Sequence, residues 1–294
     1  MLDPEQAIDQ VNDIFGKHPG HRALHAKGGF YAGTFTATPA AAALCRASHL
    51  QGDPVGVLVR WSNAGGNPEV PDKAPDIRGM AVSFRLPDGT ATDLLGQTAL
   101  RFPARTPEAF LALTRATQKP YLMPAFLARH RDALPALVAT IRSKATVPPY
   151  SYAEKTYYPV HAYKWIAADG TETWVRYRLT PLDTVVATTE FTGPDRLARE
   201  MAARLEAGQV NYCLQAQAAL PGEDPDDPMV VGAGPWFDAG RLEITGPDPD
   251  RETTGELVVF DPTRVVDGIE LSDDPILRYR SAAYSASASR RSKG

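Results

Sequence analysis

Apolar residues recur every three or four positions at the start of the chain. Ala7, Ile8, Val11, Ile14 and Phe15 predict a helix over 4–15, ended by His18-Pro19-Gly20. Between 29 and 103 the pattern shortens to strand-like runs at 30–35, 55–61, 80–86 and 99–102, joined by segments rich in Gly, Pro, Asn and Asp. Thr38-Pro39 opens an alanine-rich stretch to Leu44, with a cap hydroxyl followed by proline at the first helical position. Helical spacing returns over 106–143, where Pro120, Pro124 and Pro135 are expected to divide or kink it. Strands are predicted over 157–191, with Ala168-Asp169-Gly170 as a hairpin turn and Tyr163, Trp165, Trp174 and Tyr177 as their aromatic residues. An amphipathic helix over 195–207 and a strand over 210–220 follow. Eleven of the thirty-four residues from 221 to 254 are Pro or Gly, which predicts a segment wrapping the surface.

Many strands interrupted by helices, without the regular alternation of a parallel sheet, predict an α+β fold: an antiparallel sheet closed into a barrel with helices outside it. A chain of 294 residues has enough interior for one domain over 1–294 without staples. With 43% hydrophobic and 22% charged residues the chain is globular, neither disordered nor membrane-spanning. The formal charge is −4 and basic runs are missing, which argues against a nucleic-acid partner. Two cysteines, Cys45 and Cys213, make neither a zinc cluster nor a disulfide framework. With no basic-then-apolar leader at the N-terminus, a cytoplasmic location is expected.

Three stretches carry candidate chemistry. Arg22-Ala-Leu-His25-Ala-Lys-Gly28-Gly29 precedes the first strand; His25 is either a surface-loop residue or a proton carrier, since imidazole titrates near ~6.5. In Val59-Arg60-Trp61-Ser62, period-two alternation puts Arg60 and Ser62 on one face, either as ordinary strand residues or as a hydroxyl orienting an imidazole. Helical spacing over 275–291 aligns Arg280, Tyr284 and Arg291, either as a solvated helix or as a phenolate under a guanidinium. Holding a phenolate at neutral pH asks for roughly 4 kcal/mol, about what one guanidinium at ~4 Å supplies before desolvation. A bound ferric ion would supply the remainder.

At these residues the sequence resembles the haem catalase family, in particular its small catalase-related peroxidases. The match runs from the His25 stretch through Val59-Arg60-Trp-Ser62 and Asp76-Ile-Arg78-Gly-Met-Ala-Val-Ser-Phe84. It continues through Phe260-Asp-Pro and Gly268-Ile-Glu270-Leu-Ser272 to Arg280-Ser-Ala-Ala-Tyr284 and Arg290-Arg291. The resemblance implies an eight-stranded antiparallel barrel with peripheral helices and haem b as cofactor. It also implies His25 as acid/base, Ser62 as its hydrogen-bond partner, Tyr284 as iron ligand supported by Arg280, and Arg22, Arg60 and Arg291 on the propionates. The family's distal asparagine has no counterpart in Asp93-Leu-Leu-Gly96-Gln97-Thr98, and Gln97 is expected to fill part of its role. The implied activity is peroxide reduction with a small organic electron donor, by a monomer or homodimer. Peroxide dismutation, rearrangement of a fatty hydroperoxide and non-enzymatic haem binding are the alternatives. No phosphate-cradling glycine motif points to NADPH.

Overall fold

A computed structural model describes residues 2–185, 189–251 and 257–291. Helix α1 (Pro4–Phe15) begins where Asp3 accepts the Gln6 amide at 3.1 Å, and it buries Ala7, Ile8 and Val11. Its face lies against the C-terminal helix α7 (Pro275–Arg291), where Arg290 donates to Glu5 at 2.8 Å and to Asp9 at 2.6 Å. Helix α2 (Pro39–Leu44) is capped by the Thr38 hydroxyl, as its sequence predicts. In the 106–143 region the prolines divide the run, as expected, by standing at helix starts. Pro107 opens α3 (Pro107–Gln118), Pro124 lies in the first turn of α4 (Met123–Arg129), and Pro135 in that of α5 (Leu134–Arg142). Helix α6 covers Arg196–Ala207.

Nine strands form one antiparallel sheet: β1 (Gly28–Ala37), β2 (Val55–Asn63), β3 (Arg78–Arg85), β4 (Ala91–Gln97), β5 (Tyr163–Ile166), β6 (Glu172–Pro181), β7 (Val210–Ala218), β8 (Trp236–Pro247) and β9 (Ile269–Leu271). Their order is β4-β3-β2-β1-β8-β7-β6-β5-β9. The closed eight-stranded barrel expected from the sequence is therefore corrected to a curled nine-stranded sheet. Among the described residues no ladder joins its two end strands, β4 and β9. The dipeptide Tyr157-Tyr158 draws the sheet round instead. Tyr158 exchanges both backbone bonds with Gln97 at the end of β4, and Tyr157 exchanges both with Leu179 in β6.

Two strand assignments also change. The strand expected at 99–102 lies earlier, at β4, because its polar Thr92 and Asp93 are buried: Asp93 accepts the Asp261 amide at 2.7 Å and the Thr92 hydroxyl donates to the Arg264 carbonyl at 2.9 Å. The segment 221–254 does not simply wrap the surface, since β8 runs through it and pairs with both β1 and β7. Its Gly240 is a packing residue, because a Cβ there would stand 2.2 Å from the Phe35 ring. Positions 186–188 of the expected strand region and 252–254 of the Pro/Gly-rich segment lie outside the described residues.

The concave side of the sheet is filled by Phe35, Val59, Trp61, Val82, Phe84, Trp165, Leu179, Tyr212 and Ile244, all nearly or fully buried. Alternation along β2 turns Arg60 and Ser62 to the opposite face. The 167–171 turn joins β5 to β6 as predicted, with Gly170 at φ +87°. No described helix is long and apolar enough to cross a membrane.

Candidate active site

The pairing of β1 through β4 places Gly28, Ser62, Gly79 and Gln97 side by side in one cross-strand row. Directly paired residues of an antiparallel sheet project to the same face, so this row and Arg60, two residues before Ser62, share the outer face. His25 reaches that face from the segment before β1. Its backbone is in the left-handed region at φ +55°, with its N–H donating to the Ala64 carbonyl at 3.0 Å and its carbonyl accepting from Arg60 at 2.9 Å. The imidazole Nδ1 lies 2.9 Å from Ser62 Oγ. A bulky residue at positive φ is uncommon and costs free energy, so it persists only where surrounding bonds enforce it. Burial, with Arg60, Arg280 and Arg22 acting in the same direction, lowers the His25 pKa to about 3. The ring is therefore neutral at physiological pH and able to accept a proton.

Three arginines from distant segments converge beside it. Arg22 and Arg60 lie over the Phe30 ring at 5.4 and 5.6 Å, and Phe30 stacks on Phe260 at 6.3 Å. Arg22 and Arg291 both donate to the Val258 carbonyl, at 2.9 and 3.4 Å. The Ala23 amide, two residues before His25, donates to Ser287 of α7 at 3.3 Å, joining the His25 segment to the helix carrying Tyr284.

On α7, Arg280 Nε donates to the Tyr284 oxygen at 2.8 Å, as the four-residue spacing predicts. Sequence reasoning missed what lies behind it. Arg280 Nη1 meets His161 Nε2 at 2.8 Å, and His161 Nδ1 meets Asp274 Oδ2 at 2.6 Å. A guanidinium only donates, so His161 Nε2 carries a lone pair and its proton sits on Nδ1, donated to Asp274. Burial lowers the His161 pKa against the opposing pull of Asp274, in keeping with a neutral ring. Asp274 also caps α7, its Oδ1 accepting the Ile276 amide at 2.8 Å. The Asp274-Pro275 pair was a readable helix start; its pairing with His161 was not.

Gln97 keeps its backbone tied to Tyr158, while its buried Nε2 has no hydrogen-bond partner among the described residues. The neighbouring Thr98 is already engaged, accepting the Arg78 amide and donating to the Ala145 carbonyl. Among the described residues no group of three or more His, Cys, Asp or Glu side chains could hold a bare metal ion. A single phenol oxygen backed by a guanidinium fits a metal whose other ligands come from a macrocycle, and the gathered arginines fit that macrocycle's carboxylates. Cys45 and Cys213 are both free and buried.

The family model described as Catalase matches residues 2–215. The chain belongs to the catalase family. A catalase-related peroxidase of Mycolicibacterium paratuberculosis is 45% identical over 293 residues, covering 97% of this chain and 94% of that protein. A second, from Synechococcus elongatus, is 29% identical, covering 99% and 89%. Among solved structures, a fungal catalase superposes with a TM-score of 0.80 at 21% identity, over 97% of this chain and 62% of that one. That last likeness concerns the fold alone, and the chain spans about three fifths of the larger catalase. Haem is the cofactor associated with the catalase family.

Proposed function

We propose that the chain is a haem-dependent peroxidase, one domain over 1–294, reducing hydrogen peroxide or an organic hydroperoxide with a small organic electron donor. The observation carrying this reading is the pairing of a neutral imidazole fixed by Ser62 with a tyrosine oxygen fixed by Arg280, on segments joined through Ala23 and Ser287. Tyr284 would ligate the iron of haem b, with Arg280 as its support, and Arg22, Arg60 and Arg291 would hold the propionates. When bound, the haem supplies the electrons for O–O cleavage and is restored by the donor.

The protein's own work is proton transfer and orientation. His25 would take a proton from one oxygen of the bound peroxide and deliver it to the other, which leaves as water. Ser62 holds Nδ1, so the opposite ring nitrogen does this work. Gln97 offers its unpartnered Nε2 as a donor to the peroxide. The arrangement Asp274–His161–Arg280 keeps the guanidinium aimed at the Tyr284 oxygen. A glutamine in place of the family's asparagine favours turnover with an organic donor over dismutation. The free cysteines support a cytoplasmic location, and the same reading takes the chain as a monomer or homodimer.

The test is an absorption spectrum of the purified protein, then peroxide addition with and without an organic donor. A haem band and donor-dependent turnover are expected; stoichiometric oxygen release with poor donor oxidation would contradict the preference. His25→Ala should keep most haem and lose peroxide reactivity, whereas Tyr284→Ala should weaken haem retention or shift its spectrum.

A further inference from the structure

We infer that Gly79 is a positioning residue of the peroxide site: its missing side chain is the shelf on which the His25 imidazole lies within reach of Ser62. This deepens the reading above and rests on His25 being the proton carrier. A Cβ built at position 79 would stand 2.8 Å from both Cε1 and Nδ1 of His25 and 2.9 Å from Ser62 Oγ. Ordinary carbon contacts begin near ~3.5 Å, so the ring would have to retreat by about 0.7 Å.

The ring has little freedom to retreat. Backbone bonds to Ala64 and Arg60 hold both sides of the His25 residue, whose φ is already in the left-handed region. Ser62 belongs to a paired strand and is buried. The 2.9 Å contact between Nδ1 and Ser62 Oγ is the adjustable element, and its loss frees the imidazole from its working orientation. The shelf extends to the other side of Ser62, where a Cβ at Gly28 would stand 2.3 Å from the Trp61 carbonyl oxygen. Gly79 itself needs no special backbone conformation, and the three heavy atoms nearest an alanine Cβ there all belong to His25 and Ser62.

Two double-mutant cycles test this in the haem-loaded protein. In the first, Gly79→Ala should slow the reaction with peroxide about 100-fold at unchanged haem content, by analogy with the cost of a 1 Å misplacement. Added to Ser62→Ala, it should cost less than about threefold more, because both act by freeing the same ring. Multiplicative losses would overturn the inference. In the second, read by the denaturant midpoint, Gly79→Ala should lower stability more in the parent than in a His25→Ala background, where the imidazole it strikes is gone and the Ser62 hydroxyl, released from Nδ1, is free to rotate away. Equal shifts in both backgrounds would overturn it. Gly56→Ala is the control on the same sheet, because no neighbour among the described residues lies within 4 Å of a Cβ there. Should Gly79→Ala alone fail to accumulate, accumulation of the His25→Ala/Gly79→Ala double variant supports the inference and its failure overturns it. A protein without any peroxide reaction refutes the functional reading, while the midpoint cycle still decides whether position 79 sets the imidazole.

Discussion

Replacing Asp274 by alanine probes two jobs held by one carboxylate. Oδ1 caps α7 through the Ile276 amide at 2.8 Å, and Oδ2 accepts from His161 Nδ1 at 2.6 Å, with both side chains essentially inaccessible. Losing a helix cap costs about 1 kcal/mol. Losing a hydrogen bond to a charged group, and stranding a buried Nδ1–H, costs about 1.5–3 kcal/mol more. The alanine variant should therefore lose roughly 2.5–4 kcal/mol, a large share of the ~5–15 kcal/mol typical of folded domains. Asp274→Asn is the sharper perturbation. Its single carbonyl oxygen serves either the cap or His161, and an amide NH₂ facing Nδ1–H sets donor against donor. His161 relieves that conflict by moving its proton to Nε2, which then faces the Arg280 guanidinium and pushes it from the Tyr284 oxygen. The asparagine variant should accordingly lose about 1–3 kcal/mol and release haem faster than the parent. Urea unfolding with and without haem, together with a haem-transfer rate, measures both. Midpoints within experimental error of the parent for both variants would refute the assignment of the proton to Nδ1 and the cap to Asp274.

Acid should destabilise the protein well before its carboxylates titrate. Burial lowers the pKa of His25 to about 3, of His49 to about 4, and of His161 below the ordinary value. The unfolded chain binds these protons near pH 6.5 and the folded chain does not, so the stability is fully present above that pH and is lost as pH falls toward the folded values. Each group contributes up to about 1.4 kcal/mol per pH unit. From His25 and His49 alone, unfolding free energies measured by denaturant at pH 7.5 and 5.5 should differ by about 2–3 kcal/mol, before Asp76 and Asp93, whose raised pKa values act in the opposite sense, contribute at lower pH. A flat profile would mean that these rings are accessible to protons in the fold. Gln97→Leu should leave haem content unchanged and slow the peroxide reaction by about 10- to 100-fold, as for loss of one oriented donor. An unaltered rate constant in stopped-flow would remove Gln97 from the site.

The parts of the fold that could be read in the sequence are those whose signal is local. Asp3 before Pro4 and Thr38 before Pro39 announce helices because cap and proline act within one turn. Strand β2 is legible because its alternation separates Trp61 from Arg60 and Ser62. Strand β4 escapes because the partners that make Asp93 and Thr92 buriable, Asp261 and Arg264, lie about 170 positions later. The same distinction divides the site. Tyr284 and Arg280 meet across one helical turn, and Arg60 and Ser62 across one strand repeat. His161 and Asp274 are 113 positions apart, and their contact depends on how α7 docks against the sheet.

Glycine exposes the limit of local reading most clearly. A run dense in Gly and Pro reads as turns, because the residue's backbone freedom is its most familiar use. At Gly240 and Gly79 the backbone is ordinary, and the demand comes from other segments, the Phe35 ring and Thr36 carbonyl in one case and the His25 ring and Ser62 hydroxyl in the other. One supports the middle of the sheet and the other the imidazole. Both are invisible until the partner is placed, because a missing side chain carries no periodicity of its own. Alanine at position 79 should therefore cost less once His25→Ala removes the opposing ring, whereas at position 240 Phe35→Leu should relieve only part of the strain, because the Thr36 carbonyl oxygen would still stand 2.8 Å from the Cβ.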